Sequence, residues 1–241
     1  MKLLVFQHVP HEHPGMISDA AEKNGVTLGV VELWKPYKIP PADEFDALII
    51  MGGPMGVYEG KDQFPSKEDE LAFITANLGK MPMIGFCLGS QLLAHSLGGR
   101  VYPNMREGKR VKEIGYYDVA LTEEGAVDPL FKGFKSPVKV LQWHGDAFDL
   151  PAGATLLATS LLCTNQAFRY GTNVYGMLFH NEFTPEMVDR QIEIDKTWIH
   201  QDFEMDEKAL RAEARERAAH MRVQCERLFE NFCRIVSETK N

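Results

Sequence analysis

Apolar residues gather along this chain in short, unbroken runs rather than in strict alternation. Runs of strand length fall at 2–6, 27–33, 46–51, 82–86, 137–141 and 174–179. Continuous runs of this kind suit strands that are covered on both faces. Helix-like segments at 15–24, 66–79 and 89–97 lie between the early runs, giving the order β-α-β-β-α-β-α. That order predicts a doubly wound α/β fold, a mostly parallel sheet with helices on both faces. Ser66, followed by Glu68 and Asp69, is expected to cap the second helix and to place acidic residues in its first turn. From about 100 to 180 strands crowd together around turn signals at Glu123-Glu124-Gly125 and Pro151-Ala152-Gly153, which predicts antiparallel additions to the sheet.

The last stretch follows another rule. From about 204 to 238 the chain is charged throughout, yet Leu210, Ala214, Ala218, Met221, Cys225, Leu228, Phe232 and Ile235 recur at steps of three and four. That spacing draws one apolar stripe on a long helix, expected to pack on the chain's own domain, with a subunit or partner contact as the alternative. The expected organisation is a catalytic domain over 1–200 and a C-terminal helical extension over 201–241.

Composition narrows the class of function. A chain of 241 residues, 44% hydrophobic and 25% charged, is large enough for a single buried core. A net charge of -8 argues against binding to nucleic acid or to an anionic membrane surface, and directs attention to small molecules and proteins. No stretch approaches the roughly 18 apolar residues of a membrane-spanning helix. Cys87, Cys163, Cys225 and Cys233 form no C-x-x-C pair and no signal peptide is evident, so reduced thiols in the cytoplasm are expected.

The chemistry concentrates in three places. Met83 to Leu93 reads as an apolar strand, a tight turn with Gly85 and Gly89 around Cys87, and a helix. This is the layout of a nucleophile elbow with cysteine for serine, in which the helix N-terminus favours a thiolate and the N–H of Leu88 faces a developing oxyanion. Ile49 to Pro54 is a strand running into a Gly-Gly-Pro turn, where paired glycines are expected to allow positive φ and to aim a peptide N–H into a site at the strand's carboxyl end. Val174 to Phe183 ends in an extended segment. There Glu182, two residues beyond His180, can orient the imidazole toward the thiol before Thr184-Pro185 opens a helix. His8, His11 and His13 follow the first strand, but without a nearby Cys or Asp they are expected to form a solvated or substrate-lining loop rather than a metal site. Cys163, Cys225 and Cys233 lack flanking glycines and read as core or interface thiols.

Together, Gly-x-Cys-x-Gly-x-Gln at 85–91, Gly-Gly-Pro at 52–54 and Phe-His-x-Glu at 179–182 resemble class I glutamine amidotransferases, in that family's order and at similar spacing. Glu113-Ile114-Gly115, Trp143-His144-Gly145-Asp146 and Asn165-Gln166-Ala167-Phe168 are similar to the group containing the glutaminase domain of GMP synthase. The resemblance implies a triad of Cys87, His180 and Glu182 and an oxyanion hole from Gly53 and Leu88. It further implies substrate contacts from Gly52, Gln91, His144 and Asp146. Asn181 departs from the proline that the family commonly places between the His and the Glu. The implied reaction hydrolyses a glutamine side-chain amide through a γ-glutamyl thioester, with no metal or organic cofactor, and passes ammonia to an acceptor or a synthetase partner protein. No synthetase domain follows, so a stand-alone γ-glutamyl peptidase or hydrolase using the same triad is the first alternative. A non-enzymatic binding or regulatory subunit is the second, and the sequence leaves a homo-oligomer open.

Overall fold

The structure, a computed structural model, describes residues 1–239. The chain opens with β1 (Lys2–Gln7), α1 (Met16–Lys23), β2 (Thr27–Glu32), β3 (Ala47–Ile50), α2 (Lys67–Asn77), β4 (Met83–Phe86) and α3 (Leu88–Ser96). The middle is strand-rich: β5 (Val101–Pro103), β6 (Met105–Arg106), β7 (Lys109–Arg110), β8 (Glu113–Leu121), α4 (Glu123–Val127), β9 (Val138–His144), β10 (Asp146–Phe148), β11 (Ala154–Thr159), β12 (Ala167–Tyr170) and β13 (Val174–Met177). Three helices close the chain: α5 (Pro185–Ile194), α6 (Lys196–Asp202) and α7 (Glu207–Thr239).

One sheet runs β2-β1-β3-β4-β13-β12-β11-β8-β9. Its first five strands are parallel and the rest are antiparallel, as the crowded region of the sequence predicts. Gly85 is level with Ile50 of β3 and Phe86 with Met177 of β13. The segments leaving β1, β3, β4 and β13 therefore emerge at one sheet edge, the carboxyl edge where open α/β sheets bind ligands.

Successive strand residues feed opposite faces. Val5, Ile49 and Ile84 pack with α1 and with Met221, Cys225, Leu228 and Phe232 of α7. Leu4, Leu48 and Met83 pack on the other face with Ile74 of α2 and with Leu92 and Leu93 of α3. Burial on both faces is why these strands read as unbroken apolar runs. The stripe on α7 thus folds back on the chain itself, except that Ala218 is only half-buried. Its first turns, at Leu210 and Ala214, pack instead with α5, α6 and Trp143.

Two local expectations are corrected. Ser66 occupies the N-cap position of α2, but its backbone is already helical and its side chain caps nothing; the hydroxyl donates instead to the buried Glu70 carboxylate at 2.7 Å. Glu123-Glu124-Gly125 is the start of the short helix α4, because the Thr122 hydroxyl accepts from the Gly125 N–H at 2.9 Å and caps it.

Candidate active site

Cys87 lies between β4 and α3 with φ 47° and ψ −107°, a conformation that costs a non-glycine residue about 1–3 kcal/mol. The surroundings hold it there. A Cβ on Gly85 would come within 2.4 Å of the Gly89 carbonyl carbon, and one on Gly89 within 2.2 Å of the Ile50 carbonyl oxygen. Only glycine at both positions lets strand and helix pass so closely. The Cys87 N–H donates to Met177 O at 2.8 Å, and its carbonyl accepts from the Ser90 hydroxyl at 2.6 Å. The buried thiol faces the Trp143 carbonyl oxygen at 3.7 Å and lies beside His180, which acts to lower its pKa.

His180 has left β13, yet its backbone stays pinned, donating to Leu141 O at 2.8 Å and accepting from Leu141 N at 3.2 Å. Its Nδ1 lies 2.6 Å from Glu182 Oε1, while Glu182 Oε2 accepts the Asn181 N–H at 2.9 Å. A proline at 181 would lack that donor, so the departure from the family pattern adds a hydrogen bond to the carboxylate. With Nδ1 taken, Nε2 is the nitrogen left for the thiol. Burial pulls the imidazole pKa down, but the Glu182 charge and the hydrogen bonds to Cys87 and Glu182 outweigh it and hold the group well above its ordinary value. Burial pushes the Cys87 thiol up, opposed by His180 and by the Leu88 N–H. Elsewhere burial pushes Cys163 and Cys233 up to about 12, and Cys225 higher still, so these thiols stay protonated.

The Gly-Gly-Pro turn works differently from the sequence expectation. Neither Gly52 nor Gly53 adopts positive φ. Crowding demands glycine instead: a Cβ on Gly52 would fall 2.3 Å from Glu12 Oε2, and one on Gly53 would fall 2.9 Å from Leu88 Cδ2 and 3.1 Å from His8 Cβ. His8 is no solvated loop residue either. It is buried, with Nδ1 2.9 Å from the Gly52 carbonyl oxygen and Nε2 2.8 Å from Glu70 Oε2. Burial lowers the His8 pKa, but the Glu70 charge and hydrogen bond more than reverse this and leave it raised.

A cavity of about 350 Å³ opens beside Cys87, lined in part by Gly53, Gln91, His144 and Asp146. Asp146 Oδ1 accepts from Arg110 Nη2 at 2.9 Å, setting one cation and one anion at the cavity wall. Comparison with known proteins agrees with the motifs. The family model described as glutamine amidotransferase class-I matches residues 14–199. The chain belongs to the class I glutamine amidotransferase family. It is 36% identical to YfeJ, a glutamine amidotransferase-like protein of Salmonella typhimurium, over 80% of each chain. With a glutamine-hydrolysing GMP synthase subunit from Saccharolobus solfataricus it shares 30% identity, over 73% of this chain and 88% of that one. A glutamine amidotransferase crystal structure from Thermotoga maritima superposes with a TM-score of 0.86 at 32% identity, over 98% of both chains.

In this member of the class I glutamine amidotransferase family the three GMP-synthase-like motifs meet in one buried polar network. His144 Nε2 lies 3.2 Å from Glu113 Oε2 without a hydrogen bond to it, Glu113 Oε2 accepts from Gln166 Nε2 at 2.8 Å, and His144 Nδ1 is 3.1 Å from Asp146 O. Both ring nitrogens of His144 thus face protein groups, and its ring holds the Gly145-Asp146 turn against the cavity. Gln91 is buried in the first turn of α3. Sequence reasoning passed over Glu12, Gln191 and Asp195, which line the same cavity. Only Glu12 carried a hint, as an acidic residue at the carboxyl end of a parallel strand.

Proposed function

We propose that the chain hydrolyses the side-chain amide of glutamine or of a γ-glutamyl compound through a thioester on Cys87. One observation carries the reading: a strained, buried cysteine lies beside a histidine that draws its thiol pKa down and whose Nδ1 is held 2.6 Å from a buried carboxylate. This is the nucleophile, base and orienting acid of covalent acyl transfer. The Cys87 thiolate adds to the amide carbon, and the oxyanion is received by the N–H groups of Gly53 and Leu88. His180 gives its Nε2 proton to the departing nitrogen as the C–N bond breaks, leaving a γ-glutamyl thioester. It then takes a proton from water, whose oxygen adds to the thioester; the C–S bond breaks and glutamate leaves.

His8 supports the role of Gly53. The Gly52 carbonyl and the Gly53 N–H belong to one peptide unit, and in a trans peptide they point in opposite directions. By holding the carbonyl, His8 directs the N–H away from itself, and Gly53 lines the cavity together with Cys87. At the amino-acid end of the substrate, Asp146 suits the α-ammonium and Arg110 the α-carboxylate, with Gln91 beside them.

Similarity to a glutamine-hydrolysing GMP synthase subunit favours transfer of ammonia to a synthetase partner. The cavity favours the stand-alone γ-glutamyl hydrolase, since about 350 Å³ falls in the range of pockets that enclose ligands larger than a single amino acid. All four cysteines are unpaired, which fits a reducing cytoplasm. Glutamate release from glutamine and from γ-glutamyl dipeptides, measured for the wild type and for Cys87→Ala, tests the reading. Cys87-dependent release is expected. Release that survives Cys87→Ala contradicts it.

A further inference from the structure

One wall of the cavity has no part in the thioester chemistry. Glu12 comes from the loop after β1, Gln191 from the last turns of α5, and Asp195 from the junction of α5 and α6. Gln191 Nε2 donates to Asp195 Oδ2 at 2.8 Å and reaches Glu12 Oε1 at 3.5 Å, and Trp143 Nε1 donates to Asp195 Oδ2 at 2.8 Å. The donors of this wall are therefore spent on one another. Its acceptors are not: Gln191 is only 2% exposed, and its Oε1 has no hydrogen-bond partner among the described residues. A buried amide carbonyl left unpaired costs about 1–3 kcal/mol, so it points to a ligand that donates.

The wall also stands where the leaving group departs. The missing Cβ of Gly52 would lie 2.3 Å from Glu12 Oε2 and 3.1 Å from His180 Cε1, so carboxylate and imidazole edge flank the same small volume. Because Glu182 occupies Nδ1, the proton goes to the leaving nitrogen from Nε2, the neighbour of Cε1. Charge adds to the case. Glu12, Glu59, Asp146 and Asp195 line the cavity, and the one Arg or Lys among its described lining residues, Arg110, is already paired with Asp146. A zwitterionic glutamyl end uses Arg110 and Asp146, which leaves Glu59 and Asp195 in excess, joined by Glu12 above about pH 7. His11 lies 4.0 Å from Glu12 Oε1 and burial lowers its pKa, so the cation that faces Glu12 is His180 on its catalytic side, and Asp195 is left to a ligand. Trp143 adds an indole ring to the same cavity, a surface that favours a cation, whereas the Trp198 ring already carries Lys112 Nζ 4.7 Å from its centroid.

Resting on the reading of Cys87 as nucleophile, we propose that Glu12, Gln191 and Asp195 form a leaving-group subsite. It selects γ-glutamyl amides whose amine carries a second, cationic nitrogen, as in a γ-glutamyl diamine. The reaction is the hydrolysis already described: the C–N bond breaks, His180 protonates the nitrogen next to it, and the distal ammonium stays charged against the carboxylates.

The test uses three γ-glutamyl amides with four-carbon leaving amines that end in an ammonium, a methyl or a carboxylate: those of 1,4-diaminobutane, butylamine and 4-aminobutyrate. For the wild type, kcat/KM is expected to favour the ammonium over the methyl by about tenfold and over the carboxylate by about 100-fold. In Glu12→Gln/Asp195→Asn the first ratio should fall to within about threefold; as a ratio inside one variant, it is insensitive to a general loss of rate. A second measurement needs no variant: free 1,4-diaminobutane should inhibit wild-type glutamine hydrolysis at concentrations at least about tenfold lower than the uncharged 1-butanol. Equal or better turnover of the methyl or carboxylate amide overturns the proposal, as does a cation preference that survives in the double variant. Cys87-dependent turnover of glutamine with none of the three amides overturns the subsite while sparing the thioester chemistry. Turnover that persists in Cys87→Ala removes the reading beneath both.

Discussion

Burying Glu12 raises its pKa from 4.5 to about 7, with desolvation as the leading cause and the His180 charge opposing it. The consequence for stability follows from proton binding. Below about pH 4.5 the carboxyl is neutral in both folded and unfolded chains and costs nothing. Between 4.5 and 7 the unfolded chain releases its proton first, so stability falls as pH rises. Above 7 a constant penalty of roughly 3 kcal/mol remains. Glu12→Gln should therefore be more stable than the wild type by about that amount at pH 8 and equal to it at pH 4, as read from urea unfolding; equal stability at both values would contradict this. His8 makes a separate prediction as a positioning residue. His8→Leu leaves the Gly52 carbonyl unheld, so kcat should fall about 10–100-fold while KM changes less than about threefold, because the oxyanion forms only in the transition state. A loss expressed in KM alone would assign His8 to substrate binding instead.

Among the elements, α7 supplies much of one core face, from Met221 to Val236. Phe232 is 1% exposed against the sheet face that contains Ile49 and Ile84. Phe232→Ala should cost about 3–5 kcal/mol in chemical denaturation, and a loss below about 1 kcal/mol would mean that the helix is dispensable to that core. The heptad-like steps from Leu210 to Ile235 made this helix legible, as double-sided burial made β1, β3, β4 and β13 legible. The antiparallel strands were harder to separate: β8 is buried at Glu113–Gly115 and after that only at Val119, and β11 is mostly half-exposed, so neither forms an apolar run. In the site, Cys87, His180 and Glu182 could be picked out because each lies just past a buried strand beside residues of special shape. The support around them could not. Glu70 lies 62 residues from His8, and Gln191 lies 179 residues from Glu12, so only the folded sheet brings these pairs together.

For the whole molecule, the parallel strands deliver His8, Gly52, Cys87 and His180 to one edge, and the antiparallel strands and α5 and α6 wall in the space above it. The net charge of -8 is carried into that space by the carboxylates of the cavity, which suits a cationic or zwitterionic small molecule better than an anionic one. No helix among the described residues is long and apolar enough to cross a membrane. The proposed thioester chemistry rests on one thiol out of four being different in kind. Cys163, Cys225 and Cys233 are held protonated by burial, whereas Cys87 alone carries a histidine partner among the described residues. Incubation with a diazo-ketone analogue of glutamine, followed by peptide mapping in a mass spectrometer, separates them. One adduct per chain on the peptide that contains Cys87, appearing as activity disappears, is the expected result; an adduct on another cysteine with Cys87 unmodified would contradict the account.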